Sequence, residues 1–155
     1  IELPERITMN NDLYRLIYLS HNEICGDGNT IREEIEQILA TSRQNNRAAN
    51  ITGALMFNNN CFAQVLEGTH HQIQLTFERI QCDPRHSNVA ILDFDLTPAR
   101  RFNEWSMAYV GENSDTRQAF EQIQKTSAFD PHQLMGERIY DLLRAHLHAA
   151  ENHNL

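Results

Sequence analysis

The chain reads as an α+β fold: a single β-sheet with two helices packed on one face. Three observations predict it. Apolar, β-prone runs occur at 13–20, 51–58, 61–67 and 89–96. Two stretches, near 30–46 and 71–81, instead repeat their apolar residues at helical spacing. Polar, turn-forming clusters separate the runs.

Each element has its own justification. Residues 1–12 are mixed and partly charged and read as a short arm. Leu13–Ser20 is rich in β-formers and predicts the first strand. A polar loop at 22–29 carries Gly26 and Gly28. Thr30, with Glu33 three residues on, predicts a capping box and a helix. Ile31, Ile35, Ile38 and Leu39 form the apolar face of that helix. Ile51–Asn58 and Cys61–Glu67 predict a hairpin, joined by a turn at 58–60 because Asn tolerates left-handed backbone.

His71–Gln81 predicts the second helix, with Ile73, Phe77 and Ile80 on one face, ended by Asp83-Pro84-Arg85-His86. Val89–Leu96 and Phe102–Val110 predict the fourth and fifth strands. The order β-α-β-β-α-β-β is similar to the split βαβ of ferredoxin-like folds. A sheet with helices on one face leaves the other needing cover. Thr116–Thr126, with Phe120 and Ile123 inward, predicts a helix. Asp130-Pro131 predicts the N-cap and first turn of another, whose stripe is Met135, Ile139, Leu142, Leu143 and Leu147. These helices are expected to cover the bare face and to offer a surface for a homo-oligomer or a partner. The predicted organisation is an arm at 1–12, a core domain at 13–111 and a helical extension at 112–155.

Bulk properties narrow the function. A 155-residue chain fits one domain with an appendage. A formal net charge of −8 and a lone lysine, Lys125, argue against a nucleic-acid surface. No apolar stretch approaches the roughly 20 residues needed to span a bilayer. The expectation is a soluble, cytoplasmic protein. Cys25, Cys61 and Cys82 are too few and too scattered for a disulfide framework, and the histidines lack a matching Cys/His set for zinc.

Gln64 is the most informative residue. Alternation puts Phe62, Gln64 and Leu66 on one strand face, so the carboxamide points into a core. A buried amide must place two donors and an acceptor or the fold is penalised. An amide that can bond in either of two orientations suits a ligand edge or a switch, and Tyr18 is a candidate partner on another apolar strand.

Six segments in order carry a resemblance: Leu16-Ile17-Tyr18-Leu19-Ser20, Ser42-Arg43-Gln44-Asn45-Asn46, Ile51-Thr52-Gly53-Ala54-Leu55, Phe62-Ala63-Gln64-Val65-Leu66-Glu67-Gly68, Asp83-Pro84-Arg85-His86-Ser87 and Arg101-Phe102-Asn103-Glu104-Trp105-Ser106-Met107. Together they resemble the BLUF family, the sensors of blue light using FAD, in its short stand-alone form. The resemblance implies non-covalent FAD, its ring held between the two main helices and walled by Ile31, Ile35, Ile51 and Leu66. It implies that Asn46 binds the ring's polar edge, though by position alone Asn46 could be a helix C-cap. Asp83, Arg85 and His86 would close the pyrimidine and ribityl side, Ser42 would orient its neighbours, and Arg32 would approach the ribityl phosphate.

By the same resemblance Tyr18 gives an electron to the excited flavin, a proton moves through Gln64, and the glutamine is left rearranged by rotation, tautomerisation or both. The signal would pass through Trp105 and Met107 on the last strand to the C-terminal helices, and on to a signalling protein or an oligomer. Which of Trp105 and Met107 adjoins Gln64 is not set by spacing. The sequence departs from the family's usual pattern at Ala63 and at the 58–61 turn. Two other classes compete: a small flavin enzyme on the same fold, and a flavin-free interaction module. Against the first, no nucleophile is paired with a base, and Cys61 and Glu67 have no evident relay. Intact Tyr18, Gln64 and Asn46 argue against the second.

Overall fold

The computed structural model describes residues 11–58, 60–102, 106–110, 118 and 132–145. Their elements run β1 (Leu13–Asn22), α1 (Gly28–Ala49), β2 (Thr52–Phe57), β3 (Cys61–Thr69), α2 (His70–Gln81), β4 (His86–Leu96), β5 (Ala108–Val110) and α3 (His132–Ala145). The sheet order is β4-β1-β3-β2-β5. β1 pairs antiparallel with β3 and β4, and β2 antiparallel with β3, while β5 runs parallel to β2. This is the expected α+β, ferredoxin-like sheet, with an extra parallel strand at one edge.

Alternation along the strands gives the sheet two apolar faces. Leu16, Tyr18, Leu55, Phe62, Leu66 and Met107 face the side of α1 and α2, where Ile35, Leu39, Ile73 and Phe77 meet them. Ile17, Ala54, Met56, Ala63, Val65 and Leu92 face the other side, where Ile139, Tyr140, Leu142 and Leu143 of α3 cover them. Ala63 therefore lies on the opposite face from Gln64. At the α3 interface the Arg15 guanidinium lies 4.3 Å above the Tyr140 ring and pairs with Asp93 at 3.1 Å.

Several expectations need correction. The cap of α1 is Asp27, whose carboxylate accepts from the Thr30 amide at 2.8 Å; Thr30 lies within the helix. The helix ends at Asn50 in left-handed backbone, so Asn46 is not its C-cap. In the hairpin turn neither Asn58 nor Asn60 takes left-handed backbone, and Asn59 lies outside the described residues. Instead the Asn58 carboxamide oxygen accepts from the amides of Asn60 (2.7 Å) and Cys61 (2.8 Å). α2 begins one residue earlier than expected, capped by Thr69. β4 begins at His86, and β5 contains only 108–110 of the expected 102–110. Most of the arm, Trp105, the helix expected at 116–126 apart from Gln118, the cap at 130–131, the Met135 side chain and Leu147 lie outside the described residues.

Close approach requires glycine at 53 and leaves little room at 68. A Cβ on Gly53 would stand 2.0 Å from the Val65 carbonyl oxygen, and one on Gly68 would stand 3.1 Å from Ile51 Cγ1. The backbone of β2 thus lies close against β3, the strand that carries Gln64.

Candidate functional site

The β1–β3 register places Tyr18 opposite Gln64. Both point to the α1–α2 side, and both are nearly buried, at 3% and 4% exposure. They form part of the floor of a cleft between the two helices. Its lining includes Ile38, Ser42, Asn45 and Asn46 from α1, Leu55 and Phe62 from the sheet, and Thr76, Arg79 and Ile80 from α2. Asp83, Arg85 and His86 close one end. The cleft spans about 720 Å³ of space between the protein atoms, the open solvent at its mouth included.

Polar groups in the cleft differ in how far the protein already satisfies them. Gln64 Nε2 donates to Met107 Sδ at 3.4 Å. A thioether is a weak acceptor, so a buried carboxamide with that partner keeps most of its hydrogen-bonding capacity for a ligand. No direct bond joins the Tyr18 hydroxyl to Gln64 among the described residues; the two side chains stand side by side over the same space. Burial, reinforced by the Asp83 carboxylate, raises the pKa of Tyr18 well above the usual 10 of a phenol. Tyr18 is thus a neutral phenol at physiological pH.

The end of α1 fixes the chain leading into β5. Asn46 Nδ2 donates to the Ser106 carbonyl at 2.8 Å, and Arg43 Nε to the Met107 carbonyl at 3.1 Å. Asn46 therefore has one amide proton committed to 106 and stands at the wall of the cleft. At the closed end, Asp83 and Arg85 form a two-pronged pair, with Nε and Nη2 on the carboxylate at 2.9 and 2.6 Å. That bond holds the Asp83 carboxyl below the usual carboxylate range. Arg85 Nη1 also reaches Glu34 at 3.4 Å, bridging to α1. His86 ties three elements: its Nδ1 lies 2.7 Å from Ser20 Oγ and its Nε2 lies 2.6 Å from the Ile80 carbonyl. Nε2 must donate to that carbonyl, so neutral His86 accepts from Ser20.

Of the residues singled out from sequence, the cleft brings together Tyr18, Ser42, Asn46, Gln64, Asp83, Arg85 and His86. Met107 is fully buried against Gln64. Ile35, Ile51 and Leu66 lie in the core rather than on the cleft lining. Ile31 is partly buried and Arg32 is exposed, both in the first turn of α1 and off the lining. Reasoning from sequence missed Ile38, Thr41, Asn45, Leu55, Phe62, Thr76, Arg79 and Ile80. Ile38 and Ile80 had been placed on helix faces, and Phe62 on Gln64's strand face. The signal that could have found them is the next turn of each helix toward the same floor.

The donor set fits a flavin. A flat, mostly apolar ring with one polar edge needs apolar walls and a few convergent amides. Ile38, Leu55, Phe62 and Ile80 supply walls, and Asn45, Asn46 and Gln64 supply amides.

Comparisons agree. The family model for sensors of blue light using FAD matches residues 13–108. The blue light- and temperature-regulated antirepressor BluF of Escherichia coli is 37% identical over 95 residues, 61% of this chain and 23% of that protein. The photoactivated adenylate cyclase subunit beta of Euglena longa is 29% identical over 96 residues, 62% of this chain and 11% of that protein. The match thus spans less than a quarter of these relatives. Among solved structures, the dark state of the BLUF protein BlrB superposes with a TM-score of 0.72 at 27% identity, covering 88% of this chain and 98% of that one. Photo-activated BlsA gives 0.71 at 29% identity, covering 87% and 94%. The chain belongs to the BLUF family, flavin-binding sensors of blue light.

Proposed function

We propose that the α1–α2 cleft holds FAD non-covalently and that Tyr18 and Gln64 are its photoactive partners. The observation that carries this reading is their placement: two buried polar side chains, opposite each other on adjacent strands, on the floor of one cleft. Asn46, with Asn45 and Ser42 beside it, would bind the polar edge of the ring, and Asp83, Arg85 and His86 would close the ribityl side. When bound, the flavin supplies a blue-absorbing ring that accepts electrons.

The chain's own residues then do the rest. Tyr18, kept neutral by burial, carries both an electron and a proton to give up. Gln64 can accept a hydrogen bond from the phenol at one end and donate at the other. When the electron and proton return to Tyr18, nothing has been consumed, but Gln64 can be left in a second hydrogen-bonding arrangement. Its weak present bond to Met107 makes that exchange cheap. The reading continues outward through Met107 and Trp105 to the C-terminal helices, and from there to a protein partner or a second copy of the chain. Such a partner must bind the two states differently, since equal affinity for both shifts nothing.

The test begins with colour. Purified protein should be yellow, release FAD on denaturation, and show a small reversible red shift under blue light. A colourless chain that cannot be reconstituted with FAD would overturn the reading. FMN or riboflavin bound in preference to FAD would correct the cofactor.

A further inference from the structure

Glu67 has no exposure at all, and the photochemistry above makes no use of it. Its Oε1 accepts from the Thr52 hydroxyl at 2.9 Å and from the Phe102 amide at 3.0 Å. Its Oε2 accepts from the Arg101 amide at 2.7 Å. Arg100 reinforces the clamp by donating to the Glu67 carbonyl at 2.9 Å and the Asn50 carbonyl at 2.7 Å. The segment 100–102 is therefore carried on β3, three residues beyond Gln64.

Phe102 passes that attachment outward. It is fully buried and meets the Tyr140 ring of α3 edge-on, with centroids 5.9 Å apart. The Tyr140 hydroxyl is buried with no hydrogen-bond partner among the described residues. A buried, unpaired hydroxyl weakens the contact that holds it. The α3 interface thus contains a built-in weakness where it meets the end of the Glu67 clamp.

We propose that Glu67 is a positioning residue that couples the strand carrying Gln64 to α3, with the Phe102–Tyr140 contact as the joint. The inference rests on the photosensor reading. A change of arrangement at Gln64 acts on β3. Glu67 transmits it to the amides of 101 and 102, and α3 yields at the contact with the unsatisfied hydroxyl. A packed interface of this kind has discrete arrangements rather than a continuum.

The experiment is hydrogen exchange, read by mass spectrometry on the flavin-loaded full chain, dark and under blue light. In the wild type, exchange in 132–145 should rise several-fold in the light. Glu67→Gln should keep the dark spectrum and the red shift but lose the light-dependent rise in α3. A purely structural role for Glu67 would instead raise exchange in dark and light alike. Tyr140→Phe removes the unpaired hydroxyl. It should slow exchange of α3 in the dark and shrink the light-dependent rise, with the red shift intact. This second variant is expected to be more stable than wild type and so decides the matter if Glu67→Gln does not fold. A red shift with no change in α3 of the wild type overturns the inference alone. So does a full light-dependent rise in either variant. Absence of any red shift in the wild type overturns the photosensor reading, and the coupling with it.

Discussion

Tyr18 and Gln64 occupy opposite positions on β1 and β3, on the helix-covered face, and share the floor of one cleft. The antiparallel register fixes them as neighbours, because a one-residue slip would turn either side chain to the α3 face. Their separate partners distinguish them. Gln64 leans on the Met107 thioether, whereas the ring of Tyr18 packs against Phe77, with centroids 5.7 Å apart.

Gln64→Leu should leave the fold intact. Among the described residues the carboxamide forms one weak bond, so an apolar group of similar shape changes stability by no more than about 1 kcal/mol. The variant should still bind flavin, and its light-minus-dark difference spectrum should lack the red shift. A normal shift would remove Gln64 from the photochemistry.

Tyr18→Phe should bind flavin equally and also lose the normal shift, because on the proposed reading it removes the electron and proton donor. The wild-type phenol makes a second prediction through pH. Its folded pKa is raised above that of the unfolded chain, so its contribution to stability is complete below about pH 10. That contribution falls as pH rises, since the unfolded phenol then ionises while the buried one resists. Titration of tyrosinate absorbance should find a group in the folded wild type that resists ionisation near pH 10 and is missing from Tyr18→Phe. Tyr18→Phe should flatten the alkaline loss of stability.

Asp83 carries the opposite sign. Its folded pKa is lowered, chiefly by the hydrogen bond from Arg85. Its contribution is therefore present above about pH 4, the usual range of a carboxyl, and is lost as pH falls through the lowered value. Asp83→Asn should make the acid limb of a denaturation profile shallower and loosen Arg85 at the closed end of the cleft. A weaker affinity for flavin, measured by fluorescence quenching, should accompany it. An unchanged acid limb would show that the pair does not stabilise the fold.

Gly53→Ala should be among the most damaging small substitutions. The added methyl would stand 2.0 Å from a backbone oxygen of β3, which only displacement of the hairpin can relieve. A loss of about 3 kcal/mol is expected, measurable as a lower midpoint in urea with an unchanged slope. Gly28→Ala, where nothing lies within 4 Å, is the control.

The strands and helices were legible because their apolar residues repeat with periods of two and of about 3.6. Tyr18, Asn46 and Gln64 could be placed on shared faces by counting. What escaped depends on side chains acting on backbone. Phe102 looks like the start of a strand, but a buried carboxylate from β3 takes its amide hydrogen, and it lies outside β5, which begins at Ala108. Asp27 sits in what reads as a loop, yet its carboxylate caps α1. The depth of the cleft lining along α1 also escaped, for a geometric reason. Ile35, Ile51 and Leu66 are apolar residues on the correct face, but the cleft opens at the next turn of α1, over Ile38 and Ser42. Residue type and face are written in a sequence; depth along a helix is set by how two helices splay.

The place of β5 has one more consequence. Its described residues join the sheet through β2 alone, while the carbonyls of 106 and 107 just before it are held by Asn46 and Arg43 of α1. Any movement of that helix would therefore be felt at the margin of the sheet without passing through its central strands.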